Sequence, residues 1–504
     1  MDASQRLPTI DIDAAGARLS ERCAHGFSAL LVQQHLSQPC ACELVFTGLD
    51  DGVVEAALPL GETLRVTQRE VSAALFEGRI SAIEYGYDGR RVPTVVVRAY
   101  DALFALRNRQ SVRAHVGLTA ADLARELVKD LSLTVEADAP GPVWQRLLQT
   151  GTDFELLAEV AARCGLYLAV QDGALVLMTL EGRGALHMLR LNENLLNARL
   201  EVNGNNACRT VRASGWDPWR SVVRNGTASV ARSGRDVRAN APASLIGGND
   251  ERDLLAMPFQ DETQAQAWAQ AELDARSAQE VVFYGTTFGD PRLRPGARVQ
   301  VAGVASRVAG EYVIASARHT LDAAHGFLSE ITSALPPPRL RPRGTTMTLG
   351  TVSRIDDPDR LGRLQVTLPG YAELVTDWLQ FLSPGAGGGK GLVAPPDVGD
   401  LVLLLIDIAD PGQAVVLGSL FGEGGLPQGH DTLGKGASFC FLSPGGQRIR
   451  LDDDKRTVRI ENHDGSVLQM APDEVKLHAA TRMTIEAPGQ KLVIRAQFID
   501  FERG

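Results

Sequence analysis

Lys390, flanked by Gly385, Gly387, Gly388, Gly389 and Gly391, is the residue whose surroundings most suggest a phosphate-cradling loop. The spacing fails that test. Such a loop needs glycine five positions before Gly389, where Pro384 stands, and Ser or Thr after the lysine, where Gly391 stands. A barrel loop is the expected reading. Asp356, Asp357 and Asp359 could supply oxygens to calcium, but a type I turn around Asp357-Pro358 accounts for them better. The nine histidines are isolated, and His463 and His478 lack the H-x-H pairing of an axial metal site. His319 reads as a satisfied structural histidine. Six cysteines (Cys23, Cys40, Cys42, Cys164, Cys208, Cys440) show no repeated C-x-x-C spacing, so buried thiols are expected. There is no H-E-x-x-H and no G-x-S-x-G. The expectation is no enzyme, no metal and no cofactor.

Composition narrows the class from another side. A net charge of −10 with a pI near 5.5 argues against a nucleic-acid or anionic-membrane binder. Fifty glycines, 25 prolines and 5% aromatics fit a β-rich chain with many turns. A length of 504 residues predicts several domains, at about 150 each. No run of 18 apolar residues and no signal-type N-terminus are present, so synthesis in the cytoplasm and export by a dedicated machine are expected.

The elements that would position these residues are mostly strands. Residues 27–32, 43–47, 63–71, 78–85 and 94–99 are short β-type segments broken by polar residues and glycine. Thr119 to Asp122 and Thr152 to Glu155 are capping boxes that open two helices inside an α/β insertion. Strands return near Leu189, a helix is expected over about 261–278, and more strands follow to Thr332. A weak repeat links Gly61 to Val66 with Gly296 to Val301, each followed by a second glycine, Gly78 and Gly310. Two copies of one barrel explain it, as does shared hairpin chemistry. Pro336 to Gly344 is a stiff basic linker, and 422–436 is a glycine-rich loop.

Beyond that loop, apolar pairs recur at alternate positions: Ile449/Leu451, Val458/Ile460, Leu468/Met470, Val475/Leu477, Met483/Ile485 and Leu492/Ile494. The residues between them are mostly polar, so each strand has one apolar face. Strands this thin cannot close a core in one chain. Three chains wound into a prism can, giving a needle of about 30–35 Å at about 4.8 Å per level. A flat hairpin stack is the alternative.

Residues 350–422 carry a specific order of turns: Gly350-Thr351-Val352, Asp356 to Arg363, Leu364-Gln365-Val366, Asp377-Trp378-Leu379, Pro395 to Asp400, the run Leu401 to Ile406, and Val415 to Phe421. This segment resembles the OB-fold domain of the VgrG and phage-spike family. Leu75 to Ile80, Asp101 to Arg107, Gly151 to Phe154, Gly215 to Pro218 and Gly310 to Val313 resemble, in order and spacing, the hub of the same family, the "late control" tail proteins. The resemblance implies a mainly β chain: two tube-type antiparallel β-barrels (1–112 and 193–335), an α/β insertion (113–192), a linker (336–345), an OB-fold (346–422), a loop (423–440) and a trimeric β-helix spike (441–504). It also implies a function, the central hub and spike of a contractile injection system, adapting a three-fold needle to a six-fold tube and puncturing an envelope. The compact needle resembles that of an extracellular, phage-tail-like particle. The implied partners are two further copies of the chain, a hexameric inner tube protein, other baseplate proteins, a target membrane on firing, and a PAAR-type tip protein. Phe498, Ile499 and Phe501 are the expected docking residues for that tip, or they fill the last levels of the prism. A type VI secretion VgrG and an OB-fold ligand-binding protein are the alternatives, and a monomer in solution would favour the latter.

Overall fold

The computed structural model describes residues 10–49, 51–69, 71, 73–87, 93–217, 222–257, 259, 261–337, 344–407, 412, 414–422, 425–426 and 438–501. It divides into two compact units, 1–420 and 421–504. Most of the basic linker and of the glycine-rich loop, Pro218 and Pro411 lie outside the described residues.

Two strand sets build the first 335 residues. The first comprises β1 (Ile10–Ala14), β2 (Phe27–His35), β3 (Ala41–Thr47), β4 (Thr63–Gln68), β5 (Ala74–Gly86) and β6 (Thr94–Tyr100). Their order in the sheet is β2-β3-β6-β5-β4-β1, with every pairing antiparallel. Alternation explains the layer: in β3, Cys42, Leu44 and Phe46 point inward and their neighbours outward. All six strands contribute to one core, with Ile12, Val32, Phe46, Val66, Phe76 and Val97 among its members.

The second set comprises β7 (Arg183–Arg190), β8 (Leu195–Val202), β9 (Val281–Phe288), β10 (Ala297–Ala302), β11 (Gly310–Val313), β12 (Ser316–Asp322) and β13 (Gly326–Thr332). One arm runs β8-β9-β13-β12 and the other β7-β10-β11, around a core of Leu195, Phe283, Val299, Val301, Tyr312 and Ile331. This is the strand order of the first set repeated. β1 corresponds to β7, β2 to β8, β3 to β9, β4 to β10, β6 to β13, and the long β5 to β11 and β12 together.

Two details depart from the sequence reading. β7 pairs with β10 in parallel, so the second set is not wholly antiparallel. The paired glycines are also not equivalent: Gly78 stands opposite Leu64, whereas Val299, the counterpart of Leu64, faces Tyr312 and Gly310 faces Val301. β12 also pairs with β2, so the β8-β9-β13-β12 arm joins the first set and the short strand Ala17–Arg18 in one eleven-stranded sheet, while β7, β10 and β11 lie in a separate four-stranded sheet.

Two α/β pieces interrupt this duplication. Between the sets, helices Ala120–Val128 and Asp153–Arg163 pack with short sheets over a core that includes Leu123, Leu127, Phe154 and Leu157. Both capping boxes form as read, with Asp122 N donating to Thr119 Oγ1 and Glu155 N to Thr152 Oγ1, each at 3.2 Å. Between β8 and β9, helix Glu262–Ala278 lies on the sheet of strands Thr210–Asp217, Val222–Ala228 and Glu251–Met257. Gly226 permits that approach, since a Cβ there would sit 2.3 Å from the backbone of Ala265 and Gln266.

The last piece of the unit is a six-stranded sheet built on β14 (Thr345–Arg354), β15 (Gln365–Leu368), β16 (Leu401–Asp407) and β17 (Ala414–Leu420). Val352, Val366, Leu379, Val402, Leu404 and Val416 form its core. The aspartate cluster makes the turn between β14 and β15, with Arg360 N donating to Asp357 O at 3.1 Å. The Asp357 carboxylate accepts from the Arg363 guanidinium (2.6 Å) and from the backbone N–H of Asp359, Leu361 and Arg363. Arg363 also reaches Asp359 at 2.7 Å. An arginine therefore occupies the carboxylates that calcium would need.

The Arg363 hydrogen bonds hold the Asp357 carboxyl well below the usual carboxylate range. Its depressed value means that the stabilisation is complete above the unfolded carboxylate pKa and is lost as pH falls below about 4. Arg363 is buried, and the Asp357 side chain is nearly inaccessible to solvent. Asp357→Asn should therefore cost about 1.5–3 kcal/mol, the loss of a charge-assisted hydrogen bond, since Asp359 still pairs with Arg363. Acid titration of thermal unfolding should show a shallower loss for that variant. An unchanged melting profile would contradict this role for the turn.

Candidate assembly interface

Among the described residues of the first unit, no group of three or more His, Cys, Asp or Glu could hold a metal ion. Lys390 sits in an exposed tight turn, with Gly387 N donating to Lys390 O at 3.0 Å and no helix following, so the phosphate-loop geometry is absent there. His319 is fully buried, and Nδ1 lies 2.7 Å from Ser329 Oγ while Nε2 has no partner. Burial lowers its pKa to about 4, so it stays neutral and only half satisfied. All six cysteines are free thiols. That holds for the described residues of the second unit too, and among all of them no helix is long and apolar enough to cross a membrane.

The notable surface belongs to the second unit. β18 (Ser438–Leu442), β19 (Arg448–Asp452), β20 (Thr457–Glu461), β21 (Val467–Met470) and β22 (Val475–His478) form an antiparallel meander in sequence order. Tight turns link them; at one, Gly446 N donates to Ser443 O and Gly446 takes φ +81°, which favours glycine. Each strand spans four or five residues and so offers two side chains to one face.

The registers then stack those side chains in two columns. Phe441, Ile449, Ile460, Leu468 and Leu477 are paired in turn, as are Phe439, Leu451, Val458, Met470 and Val475. The apolar pairs read from the sequence in this region therefore share one face about 20 Å long. That face is largely uncovered in a single chain: Phe439 is 63% exposed, Phe441 58%, Leu477 61% and Val475 72%. Its contiguity is what soluble single chains avoid.

The opposite face is a ladder of Cys440, Arg450, Arg459, Gln469 and Lys476. Its charges are partly tied along the strands, Arg459 to Glu461 at 2.6 Å and Arg450 to Asp452 at 3.3 Å. One side is thus built for water and the other for apolar contact.

Phe439 and Phe441 were not among the expected core residues, because β18 begins at Ser438, inside the stretch read as loop. Their spacing of two around Cys440 is the signal that finds them. Met483, Ile485, Leu492 and Ile494 lie outside strands, exposed, with Pro488-Gly489 between the two pairs. Phe498, Ile499 and Phe501 are exposed as well, the two phenylalanines at 85% and 88%.

Comparison with known proteins gives a consistent picture. Residues 348–421 match a family model described as the type VI secretion system/phage-baseplate injector OB domain. Residues 64–323, just over half the chain, match the model described as the Alg8 N-terminal domain. No curated protein matches the sequence. The fold is similar to that of the Francisella PdpA–VgrG complex, half-lidded, at TM-score 0.54 and 10% identity, covering 95% of this chain and 89% of that one. It is also similar to an E. coli type VI secretion component described as resembling the T4 bacteriophage tail proteins gp27 and gp5. There the TM-score is 0.52 and the identity 11%, over 78% of this chain and 96% of the other. At these identities the likeness concerns the fold.

Proposed function

We propose that this chain, which belongs to the Alg8 N-terminal domain family and to the VgrG and phage-baseplate spike family, is the central hub and spike of a contractile injection system. The observation that carries this is the pair of register-aligned apolar columns, a face that further copies of the same strand stack would fill along its whole length. Three copies enclose the columns as a needle and leave the charged ladders outside, in water. Met483, Ile485, Leu492 and Ile494 complete further levels once neighbouring copies supply the pairing that one chain lacks.

The duplicated strand sets support the second half of the function. Three chains with two similar sets each present six similar units, matching a six-fold tube, while the needle keeps three-fold symmetry. The particle is an extracellular, phage-tail-like one, assembled in the cytoplasm and then released, with a hexameric tube protein and other baseplate proteins as partners. Its role is structural: it transmits the thrust that punctures a target envelope. A type VI spike performs the same mechanical task.

Size-exclusion chromatography with light scattering tests the reading. The expected mass is three times that of the 54.1 kDa chain. A monomer at micromolar concentration would defeat the spike reading and favour an OB-fold ligand-binding protein.

A further inference from the structure

His319 stands where the two strand sets of the first unit are joined, and its ring is built into that joint without a counter-charge. β12 pairs with β2 from Ser316 opposite His35 to Asp322 opposite Ala29, and His319 lies opposite Val32 in the middle. Residues directly opposite one another share a face of the sheet. The row that crosses the joint is therefore Cys42 on β3, Val32 on β2, His319 on β12, Ser329 on β13 and Thr287 on β9. All five are buried, and the Phe327 ring lies 6.4 Å from the imidazole, centroid to centroid.

The hydrogen bonds fix where the ring carries its hydrogen. Ser329 Oγ accepts from Asp290 N at 3.0 Å, which leaves its O–H to donate to His319 Nδ1, 2.7 Å away. The neutral imidazole then holds its hydrogen on Nε2, which has no partner. A second proton has to enter at Nδ1, where it displaces the Ser329 hydroxyl hydrogen from its acceptor.

Nothing in the row answers the charge that this proton brings. No other ionisable group occupies the inward positions of β2, β9, β12 or β13. Cys42, beyond Val32, is a thiol that burial keeps protonated. Asp290, in the turn after β9, is the acid whose charge reaches the ring. Its carboxylate is already held by Arg292, through Nη2 at 2.7 Å and the backbone N–H at 2.9 Å, and it also faces His187.

We propose that this row makes the joint acid-labile, a proton on His319 driving β12 away from β2 and so parting the two strand sets. A charged ring in that place is a buried ion without a partner, whereas in the opened joint water solvates it. Burial lowers the ring's pKa to about 4, against an ordinary value near 6.5. A histidine held neutral in this way leaves the joint at full strength above about pH 6.5 and weakens it as pH falls toward 4.

Hydrogen exchange of the full chain, corrected for the intrinsic pH dependence of amide exchange, tests the joint. Between pH 7 and pH 5 the amides of 29–35 and 316–322 should exchange about 20-fold faster, the gain in opening that those two pKa values give. Those of 95–99 in β6 should keep their rates. His319→Gln, whose amide reaches Ser329 without titrating, should remove the pH dependence, and His319→Phe repeats the check with an apolar ring. Equal exchange at both pH values, an acceleration spread evenly over both strand sets, or the same acceleration in the uncharged variants would each overturn the assignment.

Discussion

Replacing Val475 and Leu477 together with Asp is expected to abolish the trimer while the first 420 residues keep their fold. The two side chains close the ends of the apolar columns, Val475 opposite Met470 and Leu477 opposite Leu468. In a three-chain needle the double variant puts six carboxylates on one axis with no cation on that face. An unpaired buried charge costs several kcal/mol, and here the costs fall within a few ångströms of one another. Lys476→Asp is the control, because Lys476 lies between them on the opposite, charged face. It should leave the trimer intact. Native mass measurement with limited proteolysis of the hub decides the matter. A trimer that survives the double substitution, or that Lys476→Asp disrupts equally, would remove the basis for the needle.

That contrast between adjacent residues is available because period-two patterning in short strands is the strongest signal in this sequence. Ile449/Leu451 through Val475/Leu477 were legible as one face, and the registers align them without a slip. Phe439 and Phe441 were hidden by their closeness to the glycine-rich stretch, which masks alternation. The capping boxes at Thr119 and Thr152 were equally legible, since a cap depends on residues only three apart.

The duplication was harder, and for a physical reason. Corresponding positions share their place in the sheet but not their identity: Cys42 matches Phe283, and Gly78 matches Tyr312. A core needs matching direction and total volume, so each set fills its interior differently. The glycines that suggested the repeat serve separate close approaches. A Cβ on Gly78 would meet Tyr100 O at 2.2 Å, and one on Gly310 would meet Asp236 O at 2.0 Å. The parallel pairing of β7 with β10 left no trace either, because a half-buried strand alternates alike beside parallel and antiparallel neighbours. Met483/Ile485 and Leu492/Ile494 show the reverse limit. Their pattern is correct for strands, but a strand needs a partner edge, and one chain supplies none there.

Deleting residues 497–504 is expected to leave a stable trimer that no longer captures its tip protein. Phe498 and Phe501 are among the most exposed large apolar side chains of the described residues, Ile499 is about half exposed, and none belongs to the two aligned columns. Three copies of the segment would bring nine such side chains together, a surface that a soluble assembly covers with a partner. The proposed partner is a small, PAAR-type conical protein, which apolar burial would hold. Each phenylalanine buried there would contribute about 2 kcal/mol, so losing three copies of all three residues removes the interaction rather than weakening it. The deleted residues lie beyond both aligned columns and beyond Met483 to Ile494, so light scattering should still give three chains. Co-purification of a tagged tip protein with full-length and truncated spikes reads the difference. Capture at the full-length yield by the truncated spike would show that these side chains only fill the last levels of the needle.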